Sequence, residues 1–243
     1  MPEPRQTNPS GRLPASPAAK PSSPLVENGQ RISRPGEEKV RAALRAGNME
    51  EIDGMGSRAK PMLFNIIQDR EEDLAFRRMA ADAATELYEN IRLYDRILCF
   101  LLQDRVGDAA AFGKEAVDPV VGVLKNTKEN PLLRSIAVEV LVSIKQDEKD
   151  NRILTVVGAF SSLLAKEQEV PTLRAKIADE IPRLAGICDA AKMRMIRSAL
   201  ERAANSQNSG VAFAAEEAIL LLENGPNGCT DDESPTLRLS EKT

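Results

Sequence analysis

Three arginines and four carboxylates recur at fixed places in this 243-residue chain, and they have the most chemistry to offer. The arginines are Arg77, Arg134 and Arg174. The acids stand five positions after each of them and after Val211: Asp82, Glu139, Asp179 and Glu216. A row of carboxylates can receive a basic surface and steer it electrostatically. Paired carboxylates can also run glycosidase-type acid–base chemistry, but that needs a deep cleft with aromatic platforms, and the chain has no Trp. Histidine is absent altogether, which removes Ser–His, Cys–His and His-ligated metal mechanisms. No G-x-x-x-x-G-K phosphate loop occurs. Cys99, Cys188 and Cys229 lie far apart with no CxxC pair, which is neither a disulfide framework nor a zinc site. No catalytic, cofactor-binding or metal-ligating residue is assigned, and no cofactor is expected.

The elements that must carry these residues are helices. Around the anchors Arg77, Arg134, Arg174 and Val211, apolar residues return at offsets of 3, 4, 7 and 10: Ala80, Ala81, Ala84 and Leu87 in the first segment, Ala137, Val138, Leu141 and Ile144 in the second. Those offsets form one helical stripe. Small residues dominate its first turn, as close helix–helix approach requires. A helix upstream is in register as well. Ten residues before the arginines stand Ile67, Leu124 and Leu164, and fourteen before stand Leu63, Val120 and Phe160. Asp73, Asn130-Pro131 and Pro171 supply starts for the second helix of each pair. The fold class is therefore all-α: about four antiparallel helix pairs, at about 56–88, 113–146, 153–186 and 192–222, after a lead-in at 37–55. The anchors are 57, 40 and 37 residues apart; the long first interval holds an insertion at about 90–108, expected to be a helix and a turn. Pro182, inside the third second-helix, predicts a kink or an early end.

Residues 1–36 hold eight of the fifteen prolines, with five basic residues (Arg5, Arg12, Lys20, Arg31, Arg34) against Glu3 and Glu27. Residues 223–243 repeat the polar pattern with Asp231, Asp232 and Glu233. Both tails are expected to be disordered, because such segments bury too little apolar surface to offset their ordering entropy. Net charge is -4, so nucleic acid is not expected as a partner. No run approaches the roughly 20 apolar residues of a membrane helix, and no signal-peptide h-region opens the chain. Cytoplasmic residence is the expectation, with specialised secretion left open.

The string FGKEAVDPVVGVLKNTKENPLLRSIAVEVLVSI (112–144) resembles a HEAT repeat of the bacterial and archaeal, phycobilisome-lyase-like type. MGSRAKPMLFNII (55–67) followed by FRRMAADAATEL (76–87) is similar to it. The shared marks are Gly56 and Gly113, Ala59 and Ala116, Pro61 and Pro119, and the second-helix arginine. The third unit lacks the Gly and Ala, and the fourth also lacks the arginine. The resemblance spans about 37–222 and implies an α-solenoid whose second helices line a concave side.

Two readings stand for each residue set. The arginines are either a ligand ladder or scaffold supports, bridging neighbouring units through carboxylates and helix-end carbonyls; their recurrence within the repeat pattern favours support. The acids Asp82, Glu139, Asp179 and Glu216 are either a stripe for a basic protein or peptide, or a solvated helix face copied by duplication. The leading function is a non-enzymatic interaction or scaffold module that binds a protein or peptide, with oligomeric state open. One alternative, which the resemblance implies, is a bilin or cofactor lyase-like or chaperone subunit, expected to show a pocket with aromatic or basic contacts. Another is a secreted bacterial effector or regulatory adaptor, suggested by the Ser/Pro-rich N-terminus.

Overall fold

A computed structural model describes residues 26–27, 30–31, 36–145 and 152–224. Among them are twelve α-helices: α1 (Glu37–Ala46), α2 (Met49–Gly54), α3 (Ala59–Gln68), α4 (Leu74–Leu87), α5 (Leu93–Leu102), α6 (Val106–Ala110), α7 (Val117–Lys125), α8 (Pro131–Ser143), α9 (Arg152–Leu164), α10 (Pro171–Glu180), α11 (Ala190–Ala204) and α12 (Ser209–Asn224). The fold is all-α. The one departure among the described residues is a two-residue antiparallel pair, Val26–Glu27 with Gln30–Arg31. It flanks Asn28-Gly29, a dipeptide that favours two-residue hairpin connections. Otherwise the expected disordered tails, and Cys229, lie outside the described residues.

Local signals place the helix starts. The Asp73 carboxylate accepts the backbone N–H groups of Ala75 and Phe76, and Asn130 accepts that of Leu132. Each side chain satisfies donors that the first helical turn leaves without partners. Pro131 and Pro171 occupy first-turn positions, where a missing N–H costs nothing. Gly56 and Gly113 open short 3-10 turns ahead of α3 and α7, both at φ +56°, where a Cβ is strained. Three residues on, Ala59 and Ala116 are fully buried.

The helices pack in two rows. α7, α9 and α11 touch in succession, as do α8, α10 and α12, and each pair α3–α4, α7–α8 and α11–α12 closes across the rows. The apolar stripes meet between the rows: Ala80, Ala81, Ala84, Ala137, Val138, Leu141, Ile177, Ala178, Ala215 and Phe160 are all fully buried.

Two boundaries differ from the sequence expectations, and a third settles between two of them. The insertion contains two helices, α5 and α6, and runs to Ala110 rather than to about 108. The turn between them passes through Asp104 at φ +59°, a conformation that Asp tolerates better than most residues. α12 continues through Asn224, because Leu222 still packs on the core. In the third pair α10 ends at Glu180, and the chain runs on as a 3-10 turn over Ile181–Ile187 that contains Pro182. Proline has no N–H for the α ladder and its ring crowds the preceding turn, so the helix ends there instead of kinking.

Candidate functional site

The arginines hold the interior together. Arg77, Arg134 and Arg174 are each 1% exposed. In all three, Nε donates to the carbonyl ten residues upstream, at the C-terminal end of the preceding helix: Ile67 (2.9 Å), Leu124 (2.8 Å) and Leu164 (3.0 Å). Their terminal nitrogens reach forward to the next pair. Arg77 donates to both oxygens of Glu129 (2.5 and 3.3 Å), and Arg134 to both oxygens of Glu169 (2.7 Å each). These carboxylates also accept the N–H of the following residue, Asn130 or Val170, at 3.0 Å. Planar two-pronged pairing of this kind is where arginine is not replaceable by lysine. Hydrogen bonding from Arg134 holds the Glu169 carboxyl below the usual carboxylate range, against the opposing effect of its burial.

Sequence reasoning missed the acceptors, although they lie in register. Glu129 and Glu169 each stand five residues before an anchor, and so does Glu72 before Arg77. Glu72 receives Arg41 of α1, whose Nε also donates to Glu37 at 3.1 Å. The series of rungs therefore begins one rung earlier than the repeat alignment suggested, at α1. It ends irregularly: five residues before Val211 stands Ser206, whose hydroxyl accepts from Arg174 at 3.1 Å. Glu167, with a side chain 51% exposed, supplies the missing carboxylate at 2.9 Å. Ser206→Glu restores the regular acceptor and is expected to raise stability by about 1 kcal/mol. A urea midpoint that stays put or falls rejects the equivalence of the rungs.

The four carboxylates of the presumed stripe occupy two kinds of surroundings. Asp179 and Glu216 are exposed. Partial desolvation and the neighbouring Glu180 push the Asp179 carboxyl up, while Lys176 opposes them. Asp82 accepts the Gln103 side-chain amide at 2.8 Å, so the insertion already engages it. Glu139 pairs with Lys176 at 2.9 Å. That last contact is informative about placement. Lys176 lies two residues after its anchor and Glu139 five after its own, so these offsets of α8 and α10 share one surface. The offset-two residues are Met79, Ile136, Lys176 and Phe213; Met79 is 39% and Phe213 61% exposed, while Ile136 is nearly covered. The face is thus acidic and apolar in alternation, with a basic interruption at α10.

A second feature arises at the insertion. The insertion sets α5 and the five-residue α6 beside the C-terminal end of α4. The result is an open cleft of about 410 Å3, walled by Tyr88, Ile91, Phe100, Ala111 and Phe112, with Arg96, Arg105, Glu89 and Asp108 at its rim. The Phe100 and Phe112 rings stack with centroids 6.1 Å apart, and the Arg105 guanidinium lies 4.7 Å over Phe100. Arg105 is also paired with Asp108 at 2.7 Å. Cations from two helices fasten the loop that forms the back of the cleft: Lys60 donates to the Asn90 carbonyl, and Arg96 to that of Glu89. Nearby Cys99 is buried in the core, and burial pushes its thiol up to about 12. It is a core residue, not a nucleophile. Among the described residues no group of three or more Cys, Asp or Glu is arranged to hold a metal ion, and no helix is long and apolar enough to cross a membrane.

Compared with protein families, curated proteins and solved structures, the chain matches none.

Proposed function

We propose that the chain is a HEAT-type helical-repeat module that binds a protein or peptide through the exposed face of its second helices and catalyses no reaction. The supporting observation is the shared surface of α8 and α10, marked by the Glu139–Lys176 pair, on which offset-two and offset-five residues alternate. Repetition of that register brings Glu139, Asp179, Phe213 and Glu216 into one acidic and apolar band along α8, α10 and α12, while the corresponding Met79 and Asp82 of α4 lie on the far side of the insertion. Its complement is a segment with lysine or arginine spaced between apolar side chains. Carboxylates steer and select such a partner, while the apolar side chains contribute affinity by leaving water.

Asp179 and Glu216 are the acids to reverse, because the other two already serve Gln103 and Lys176. Tagged wild-type protein and the Asp179→Lys/Glu216→Lys variant are compared as baits in native lysate, with mass spectrometry of the captured proteins. The variant is expected to lose basic partners that the wild type retains, with an unchanged circular dichroism spectrum and Tm. An identical set of captured proteins at identical recovery sinks the proposal.

A further inference from the structure

We infer that the cleft between α4, α5 and α6 is a second, separate binding site, which takes a carboxylate carried on an aromatic group. The inference does not depend on the second-helix face. The cleft has the volume of a small-ligand site, about 410 Å3. It gathers Tyr88, Phe100 and Phe112, three of only eight aromatic residues in the chain, and none of the three rings is fully buried. Half-covered rings on the walls of a concavity offer stacking and edge contacts to a planar group.

The charge of the ligand follows from the two arginines. Arg105 is satisfied by the Asp108 carboxylate and by the Phe100 ring. Arg96 is not equivalent to it. One nitrogen, Nη2, donates to the neutral carbonyl of Glu89, and no ion pair ties Arg96 to a carboxylate among the described residues. Its remaining donors form a planar fork suited to a carboxylate. Arg96 and Phe100 are four residues apart on α5, so charge and ring stand side by side on one helix face. Phe100 and Phe112 already stack on each other, so an entering ring lies against the open side of that pair, with its carboxylate toward Arg96. The exposed Glu89 side chain is the one rim carboxylate without a partner arginine, and its charge opposes such a ligand.

The test uses the full chain, 15N-labelled, titrated with N-acetylphenylalanine and with its uncharged amide, following backbone NMR signals of residues 88–92 and 105–112. The acid is expected to bind at least about tenfold more tightly than the amide, the range of one charge-assisted hydrogen-bonded pair. Arg96→Gln is expected to abolish that preference and Glu89→Gln to strengthen acid binding severalfold. Glu89→Gln removes no interaction of the fold, so it reports even if Arg96→Gln loosens the loop. Equal binding of acid and amide, or no response to Glu89→Gln, overturns the inference. A pentaglycine peptide ending in phenylalanine with a free carboxylate forms the other arm. Tighter binding than N-acetylphenylalanine assigns the ligand to a peptide terminus, and equal or weaker binding to a free aromatic acid; either outcome supports the site.

Discussion

Arg134→Ala is expected to destabilise the protein by about 3–5 kcal/mol, the usual cost of removing one partner of a buried ion pair. The substitution leaves the Glu169 carboxylate, whose side chain is only 4% exposed, without its cation. It also strips the Leu124 carbonyl of its donor at the end of α7. Replacing both partners, Arg134→Met with Glu169→Met, is expected to recover most of the loss, because a buried pair contributes less over an apolar substitute than a lone buried charge costs. Arg174→Ala provides the internal comparison. Its carboxylate partner Glu167 sits at the surface, where water solvates the charge left behind, so the loss is smaller. Urea unfolding of the four proteins, followed by far-ultraviolet circular dichroism, decides the matter. Equal losses for Arg134→Ala and Arg174→Ala contradict the idea that burial of the acceptor sets the cost.

Phe160→Ala should cost a similar amount, about 3–5 kcal/mol, for a different reason. Phe160 is fully buried in α9, the helix that touches both α7 and α11 in its row. Truncation removes the ring's apolar transfer energy and leaves a cavity that neighbours close only in part. Since α9 links the pairs before and after it, hydrogen exchange in α11 and α12 is expected to accelerate more than in α3 and α4. Uniform acceleration along the chain argues for a single indivisible core instead.

The second-helix face was partly legible beforehand, since the acids recur at one offset. Their individual states were not. Asp82 is engaged by Gln103 because the insertion folds beside α4, and Glu139 by Lys176 because α8 and α10 adjoin. The cleft was less legible still. Its arginines and rings are ordinary residues in a helical pattern, and they meet only where the end of α4, α5 and the segment around α6 come together.

What the sequence determined by itself is the set of helices and most of their ends. Periodicity, the caps Asp73 and Asn130, the prolines at 131, 171 and 182, and the left-handed glycines at 56 and 113 all act on neighbours within a turn or two, so they are written locally. The tertiary structure alone decided which charges meet. Arg77 and Glu129 are 52 residues apart, and Arg134 and Glu169 are 35 apart. Pairing across such distances depends on how one helix pair stacks on the next. The same stacking turns three recurring arginines from candidate ligand contacts into the internal ties of the fold, and leaves Arg96, which has no carboxylate partner among the described residues, beside an open cleft.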